Sequence, residues 1–162
     1  MTTSLTFRIT PKRSQELIMG ELSISGLGPN RIVYDATSGI AGYQKRGDIW
    51  VRGKGLIPPS NCIVTPYTVE TTPIRPTNPV AAGEWQYRIL PDEVWGNESG
   101  LLKWMNSRRT LLRIHFDANH ATSPGSAGCI VLTDKDQWES FMATMETCYE
   151  LCAFIPLMVV YA

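Results

Sequence analysis

A mainly β domain with one amphipathic helix near its end is the fold class that this 162-residue sequence predicts. Three observations lead there. Apolar and polar residues alternate over 5–9, 21–25 and 31–36, the period of half-buried strands, with Pro11, Gly26, Gly28 and Pro29 between them. Trp138, Phe141, Met142, Met145, Cys148, Tyr149 and Cys152 recur at steps of three and four, which is one face of a helix over about 134–152. Between these regions, LLRIHFDANHATSPGSAGCIVL sets two short apolar runs on either side of a loop rich in Gly, Ser and Pro.

The length suits one domain with a real core, and the 43% hydrophobic content is ordinary for a globular chain, so 1–162 reads as a single domain. Lys+Arg and Asp+Glu balance at 15 each, which argues against nucleic acid and against an anionic membrane as partners. No apolar run approaches the roughly 20 residues of a membrane-crossing helix, and residues 1–15 are polar where a secretory signal would be apolar. Neither membrane insertion nor general export is expected. Cys62, Cys129, Cys148 and Cys152 form no disulfide framework and no Cys-x-x-Cys pair. Cys148 and Cys152 fall one helical turn apart, so a metal or redox pair is conceivable, but small buried hydrophobes are the favoured reading.

In chain order, the third strand runs into Asp35-Ala36-Thr37-Ser38-Gly39. The composition of 71–106 shifts to Pro, Gly, Trp and charge, which suggests an insertion roofing a cleft, with a strand at 85–90 and a short helix over 101–105. Trp85, Tyr87, Trp95 or Trp104 can offer flat apolar faces to a sugar or peptide, although burial is the commoner fate of such side chains. The run 111–116 reads as a strand carrying His115 near its end, and 129–132 as a strand beginning at Cys129. Asn119, Ser123, Pro124, Gly125 and Gly128 are turn formers between them. Thr133-Asp134-Lys135-Asp136 resembles a helix-capping start, and 154–161 is a closing strand with Pro156 near its beginning.

A strand, loop and strand of this kind can set an imidazole beside a sulfur. A neighbouring imidazolium lowers the thiol pKa and stabilises the thiolate nucleophile, and His115 can then protonate a leaving amine. Gly128 lets a substrate carbonyl approach the backbone, where the N–H of Cys129 and of a residue just before it can hold an oxyanion. The order of residues excludes two competitors. Papain-like enzymes place cysteine before histidine, yet no histidine follows Cys129, and sortases need an arginine after the cysteine, yet none lies beyond Arg113. A zinc site from His115, Asp117, His120 and Cys129 matches no common ligand spacing, so neither metal nor cofactor is expected. The bland alternatives are a buried strand cysteine at Cys129, a satisfied core histidine at His115 and a solvated loop residue at His120.

Ile114-His115 followed by Ser126-Ala127-Gly128-Cys129-Ile130 resembles the signature of the L,D-transpeptidase (YkuD-like) catalytic domain: a strand-borne Ile-His, a short variable loop, then Ser/Thr-x-Gly-Cys-Ile. Asp35 to Gly39, residues 53–69 with Ile57-Pro58-Pro59, and the last strand also resemble that family, in which the segment matching 53–69 is a hairpin before the active site. The resemblance runs from about Tyr34 onward, while its sharp motifs cover 115–129. The chain departs from the family pattern in a shorter loop, in Ala127 where many members carry a second histidine, and in Val131 where an arginine often follows Cys-Ile.

The resemblance implies a β-sandwich or barrel with the helix packed on it. It further implies Cys129 as nucleophile with His115, Gly128 and Ser126 in the machinery, and His120 or Ala127 as auxiliary groups. Tyr67, Arg113 and Asn119 are candidates to bind substrate, and a backbone carbonyl or Ser126 is expected to orient His115. The implied chemistry is acyl transfer on peptidoglycan stem peptides through a Cys129 thioester, giving transpeptidation, L,D-carboxypeptidase or endopeptidase activity. The polar start of the chain then points to delivery by lysis, by an injection machine or within a phage particle, with the corresponding partners. A non-catalytic virion or wall-recognition module on the same fold is the alternative, motivated by Ala127 and Val131. Selective thiol labelling of Cys129 at neutral pH is expected to separate the two.

Overall fold

Leu5 and Phe7, Leu22 and Ile24, and Tyr34 and Ala36 are the buried members of three alternating strands, β1 (Ser4–Ser14), β2 (Leu17–Ser25) and β3 (Ile32–Ile40). The computed structural model describes residues 2–14, 17–98, 100, 106–120 and 124–161. The helix expected over 101–105, Trp104 and Ser123 lie outside the described residues. Seven further strands follow: β4 (Tyr67–Glu70), β5 (Gln86–Leu90), β6 (Glu93–Trp95), β7 (Arg108–Thr110), β8 (Arg113–Phe116), β9 (Gly125–Leu132) and β10 (Phe154–Tyr161).

Eight of them close a barrel in the order β1-β10-β4-β5-β8-β9-β3-β2, and β6 pairs with β7 as a separate ribbon. The expectation of a mainly β chain with one main helix holds, in the form of a barrel. The β1–β10 and β8–β9 ladders are parallel and the other barrel ladders antiparallel.

Register carries the core around the wall. Phe7 pairs with Leu22 and Val159, Leu157 with Tyr67, Val69 with Ile155 and Ile89, Tyr87 with Ile114, and Ile114 with Ile130. All of these side chains are nearly or fully buried, and each large apolar one contributes roughly 1.5–3 kcal/mol of transfer free energy.

Besides the four-residue α1 (Pro79–Ala82), the long helix α2 (Lys135–Leu151) lies against β3, β8 and β9. Its buried residues are Trp138, Phe141, Met145 and Cys148, the three-and-four pattern of the sequence. Phe141 meets Tyr34 and Tyr87 edge to face, with ring centroids 5.5 and 5.6 Å apart. Asp134 caps the helix by accepting the Gln137 amide at 2.9 Å. The Gln137 side chain turns away from the cap and exchanges two hydrogen bonds with Asp35, which docks the helix onto β3. Tyr149 and Cys152 at the end of the same stripe are exposed.

Two expectations are corrected. Residues 53–69 do not form a hairpin: Gly53 and Gly55 lie in turns, Ser60–Cys62 is a 3-10 turn after Pro58-Pro59, and only Tyr67 onward is strand. Pro58 and Pro59 carry no N–H and cannot enter a ladder as donors. Within 71–106 the strand expected at 85–90 is Gln86–Leu90, a barrel strand between β4 and β8. The cysteine strand begins at Gly125, four residues earlier than expected, with Gly125 and Gly128 at φ 94° and 114° inside it.

Candidate functional site

Strand alternation separates a core face from a site face. Ile114 and Ile130 point at the core, so His115 on β8 and Cys129 on β9 share the opposite face. His115 pairs with Val131, which places Cys129 two residues along β9 on the same side. On the other flank His115 pairs with Gln86 of β5. Gln86, His115 and Cys129 therefore come from three neighbouring strands, and all three line one cleft of about 470 Å³. Residues 76–82, before and within α1, supply a wall through Pro76, Asn78 and Ala82, and Gly53 approaches from the turn after β3. The cleft wall from 76–82 is the part of the expected roof that the described residues place here.

His115 is 8% exposed, and its Nδ1 lies 2.7 Å from the Phe116 carbonyl. A carbonyl only accepts, so Nδ1 carries the proton and Nε2 keeps its lone pair. The orienting group is a backbone carbonyl, and Ser126 does not serve in that role. Burial pushes the imidazole pKa below its ordinary value, against the opposing pull of the Phe116 carbonyl and of Asp117.

Cys129 is partly exposed to the cleft, yet desolvation pushes its thiol pKa up. The Arg113 backbone N–H and the Arg113 and Arg109 guanidinium groups work in the other direction. Both shifts favour neutral forms. They oppose the thiolate–imidazolium pair that the spacing suggested, and rapid labelling at neutral pH is not expected of this thiol.

The Ser126-Ala127-Gly128 turn is tied down by its own bonds. Ser126 Oγ donates to the Cys129 carbonyl and accepts the Gly39 and Gly128 amides, both at 3.3 Å. The Gly128 amide is thus engaged with Ser126 and not held open for an oxyanion. The space a Gly128 Cβ would take is filled by the Arg109 guanidinium, so this glycine makes room for Arg109 and not for a substrate carbonyl. Ala127 is exposed on the cleft rim.

Asn119 lines the cleft. His120 instead turns to Asp117, with Nδ1 3.2 Å from Oδ2. Asp117 is 1% exposed and also accepts the Gly125 amide at 2.8 Å, which clamps both ends of the loop between β8 and β9. Burial raises the Asp117 carboxyl, and the Gly125 amide and His120 lower it in part.

Two expected substrate contacts are elsewhere. Tyr67 is 1% exposed, with its hydroxyl donating to the Pro58 carbonyl at 2.8 Å, so it is a core residue and out of reach of a substrate. Arg113 shares the site face but donates to the Leu112 carbonyl and leans towards Asp92, beside the cleft and not in its lining. Of the aromatics, Tyr87 is buried against Trp138 and Phe141, Trp85 carries Arg75 over its ring, and Trp95 carries Arg108.

Gln86 and Arg109 escaped sequence reasoning. Gln86 is placed by ladder register and Arg109 by backbone carbonyls distant in sequence, and neither leaves a local motif. Among the described residues no three His, Cys, Asp or Glu side chains converge as metal ligands, so the His115, Asp117, His120 and Cys129 constellation is not assembled. No helix among them is long and apolar enough to cross a membrane. In comparisons with known proteins, no family model, no curated protein and no solved structure matches this chain.

Proposed function

We propose that this chain is a cysteine-dependent acyl-transfer enzyme acting on peptidoglycan stem peptides, with L,D-transpeptidase or L,D-carboxypeptidase and endopeptidase chemistry. The observation that carries the reading is the placement of His115 and Cys129 on one face of adjacent strands, lining one cleft, with the imidazole held as its Nδ1–H tautomer by Phe116. The resemblance of Ile114-His115 and of Ser126 to Ile130 to the L,D-transpeptidase signature supplies the substrate class and the finer fold assignment.

Starting from neutral partners, His115 Nε2 takes the Cys129 proton as the sulfur bonds to the carbonyl carbon of the penultimate stem residue. The electron pair of the C=O bond moves to oxygen. Collapse of this tetrahedral species breaks the C–N bond, the imidazolium passes its proton to the departing D-Ala nitrogen, and a thioester remains on Cys129. In the second half, His115 takes a proton from an incoming amine or water, which attacks the thioester, and the thiolate leaves and recovers that proton. An amine gives a cross-link or exchange, and water gives hydrolysis. A neutral thiol beside a neutral base also limits side reactions before substrate fills the cleft.

The specific feature favouring a non-catalytic wall-binding module is the burial of Cys129, which pushes its thiol pKa up. Mass spectrometry of tetrapeptide muropeptides incubated with the protein and with Cys129→Ala decides between the two. Loss of D-Ala, cleavage of a cross-link or a new dimer, absent with the variant, is the expected result. Unchanged muropeptides with both proteins, on plain and amidated stems, would overturn the enzymatic reading.

A further inference from the structure

Arg109 on β7 is 2% exposed, which makes its guanidinium a buried cation. Nη1 donates to the carbonyls of Ile49 at 2.7 Å and Leu56 at 3.0 Å, and Nη2 to those of Gly55 at 3.0 Å and Ala127 at 3.2 Å. Among the described residues no carboxylate pairs with it. A buried charge without a countercharge is costly, and carbonyl dipoles offset that cost only in part. Burial lowers the Arg109 pKa, but an arginine starts so high that it stays protonated in the fold.

Where this cation sits gives it a use. Three of its acceptors belong to residues 49–56, whose Gly53 lines the cleft, and the fourth belongs to Ala127, two residues before the nucleophile. The guanidinium occupies the place of the missing Gly128 side chain, directly against the strand that carries Cys129. We propose that Arg109 is a positioning residue for Cys129: its fork ties β9 at Ala127 to the 49–56 wall and fixes a cation on the strand that carries the sulfur, two residues from it. This rests on the acyl-transfer reading, in which negative charge on the sulfur grows as the proton leaves and gains most from a cation already in place. Arg113 of β8 is the other cation facing Cys129, and His115 is the neutral base in the same cleft.

Iodoacetamide alkylation followed peptide by peptide across pH reads the Cys129 thiolate without any turnover, so its outcome does not depend on whether muropeptides are substrates. Wild type, Arg109→Gln and Arg109→Lys are compared, with exposed Cys152 at the end of α2 as the internal control. Arg109→Gln keeps amide donors and removes the charge. It is expected to move the Cys129 half-point upward by about one pH unit, which is roughly tenfold slower alkylation at a given pH, with Cys152 unmoved. Arg109→Lys withdraws the cation along a shorter, unforked chain and is expected to give a smaller shift in the same direction. An unmoved Cys129 half-point in a glutamine variant with a native circular dichroism spectrum overturns the proposal. If the glutamine variant does not fold, the lysine variant decides alone: an upward shift supports the proposal and an unmoved half-point overturns it.

Discussion

Ser38 Oγ donates to the Gly128 carbonyl at 3.0 Å while accepting the Ile57 amide at 2.8 Å, so one fully buried hydroxyl joins β3, the turn before Cys129 and the Ile57-Pro58-Pro59 segment. Ser38→Ala leaves a buried carbonyl and a buried amide unpaired. The expected cost is about 1–3 kcal/mol, read from urea or thermal unfolding, and muropeptide turnover should fall with it because Gly128 is no longer held.

His115 gives stability a pH signature. Its folded-state pKa lies below the usual 6.5, so on acidification the unfolded chain takes up the proton first. The contribution is complete above 6.5 and declines as pH falls from there towards the folded-state value. Asp117, raised by burial, acts with the opposite sign, its contribution fading as pH rises above its usual 3.8. Subtracting the unfolding free energies of His115→Gln from wild type at about pH 7.5 and about pH 5 isolates the histidine. The difference should favour wild type more at the higher pH; a difference independent of pH would show that the imidazole is not held neutral.

Gly128→Ala places a Cβ into the Arg109 guanidinium at a φ of 114°. Strain of this kind costs of order 1–3 kcal/mol before any repacking, so the variant should unfold at clearly lower urea. Gly47→Ala is the matched control: nothing lies within 4 Å of its added Cβ and its φ is not left-handed, so stability should stay within about 0.5 kcal/mol.

Tyr67 and Gln86 should separate core from cleft. Tyr67→Phe removes the bond to Pro58 and should cost about 1 kcal/mol with KM for a muropeptide unchanged. Gln86→Ala, beside His115 in the cleft, should leave stability within about 0.5 kcal/mol and reduce turnover. The reverse pattern would place the substrate on the other side of the barrel wall.

The strands and the long helix were legible where period and burial agree. Leu5, Phe7, Leu22 and Ile24 alternate because one face of the wall is core, and Trp138, Phe141, Met145 and Cys148 repeat because one stripe of α2 is. The juxtaposition of His115 and Cys129 was readable as a motif, but its electrostatics were not. Burial depth is a tertiary quantity, and here it pushes both groups towards their neutral forms. Gly125 and Gly128 signal turns in sequence, yet here they serve an irregular strand in close contact with Gly39, Ile40 and Arg109. The fork of Arg109 spans residues 49 to 127, a separation no local pattern encodes.

Strand β9 has two sides whose fates are locked together. Ile130 and Leu132 fill the core while Cys129 faces the cleft, and a slip of one residue against β8 would exchange them, sending the sulfur inward and an isoleucine out. The apolar packing that holds β9 in phase therefore sets which side chain the cleft receives as well as how stable the barrel is. A substitution deep under α2 that loosens this phase would withdraw Cys129 from the cleft without touching a single residue of its lining.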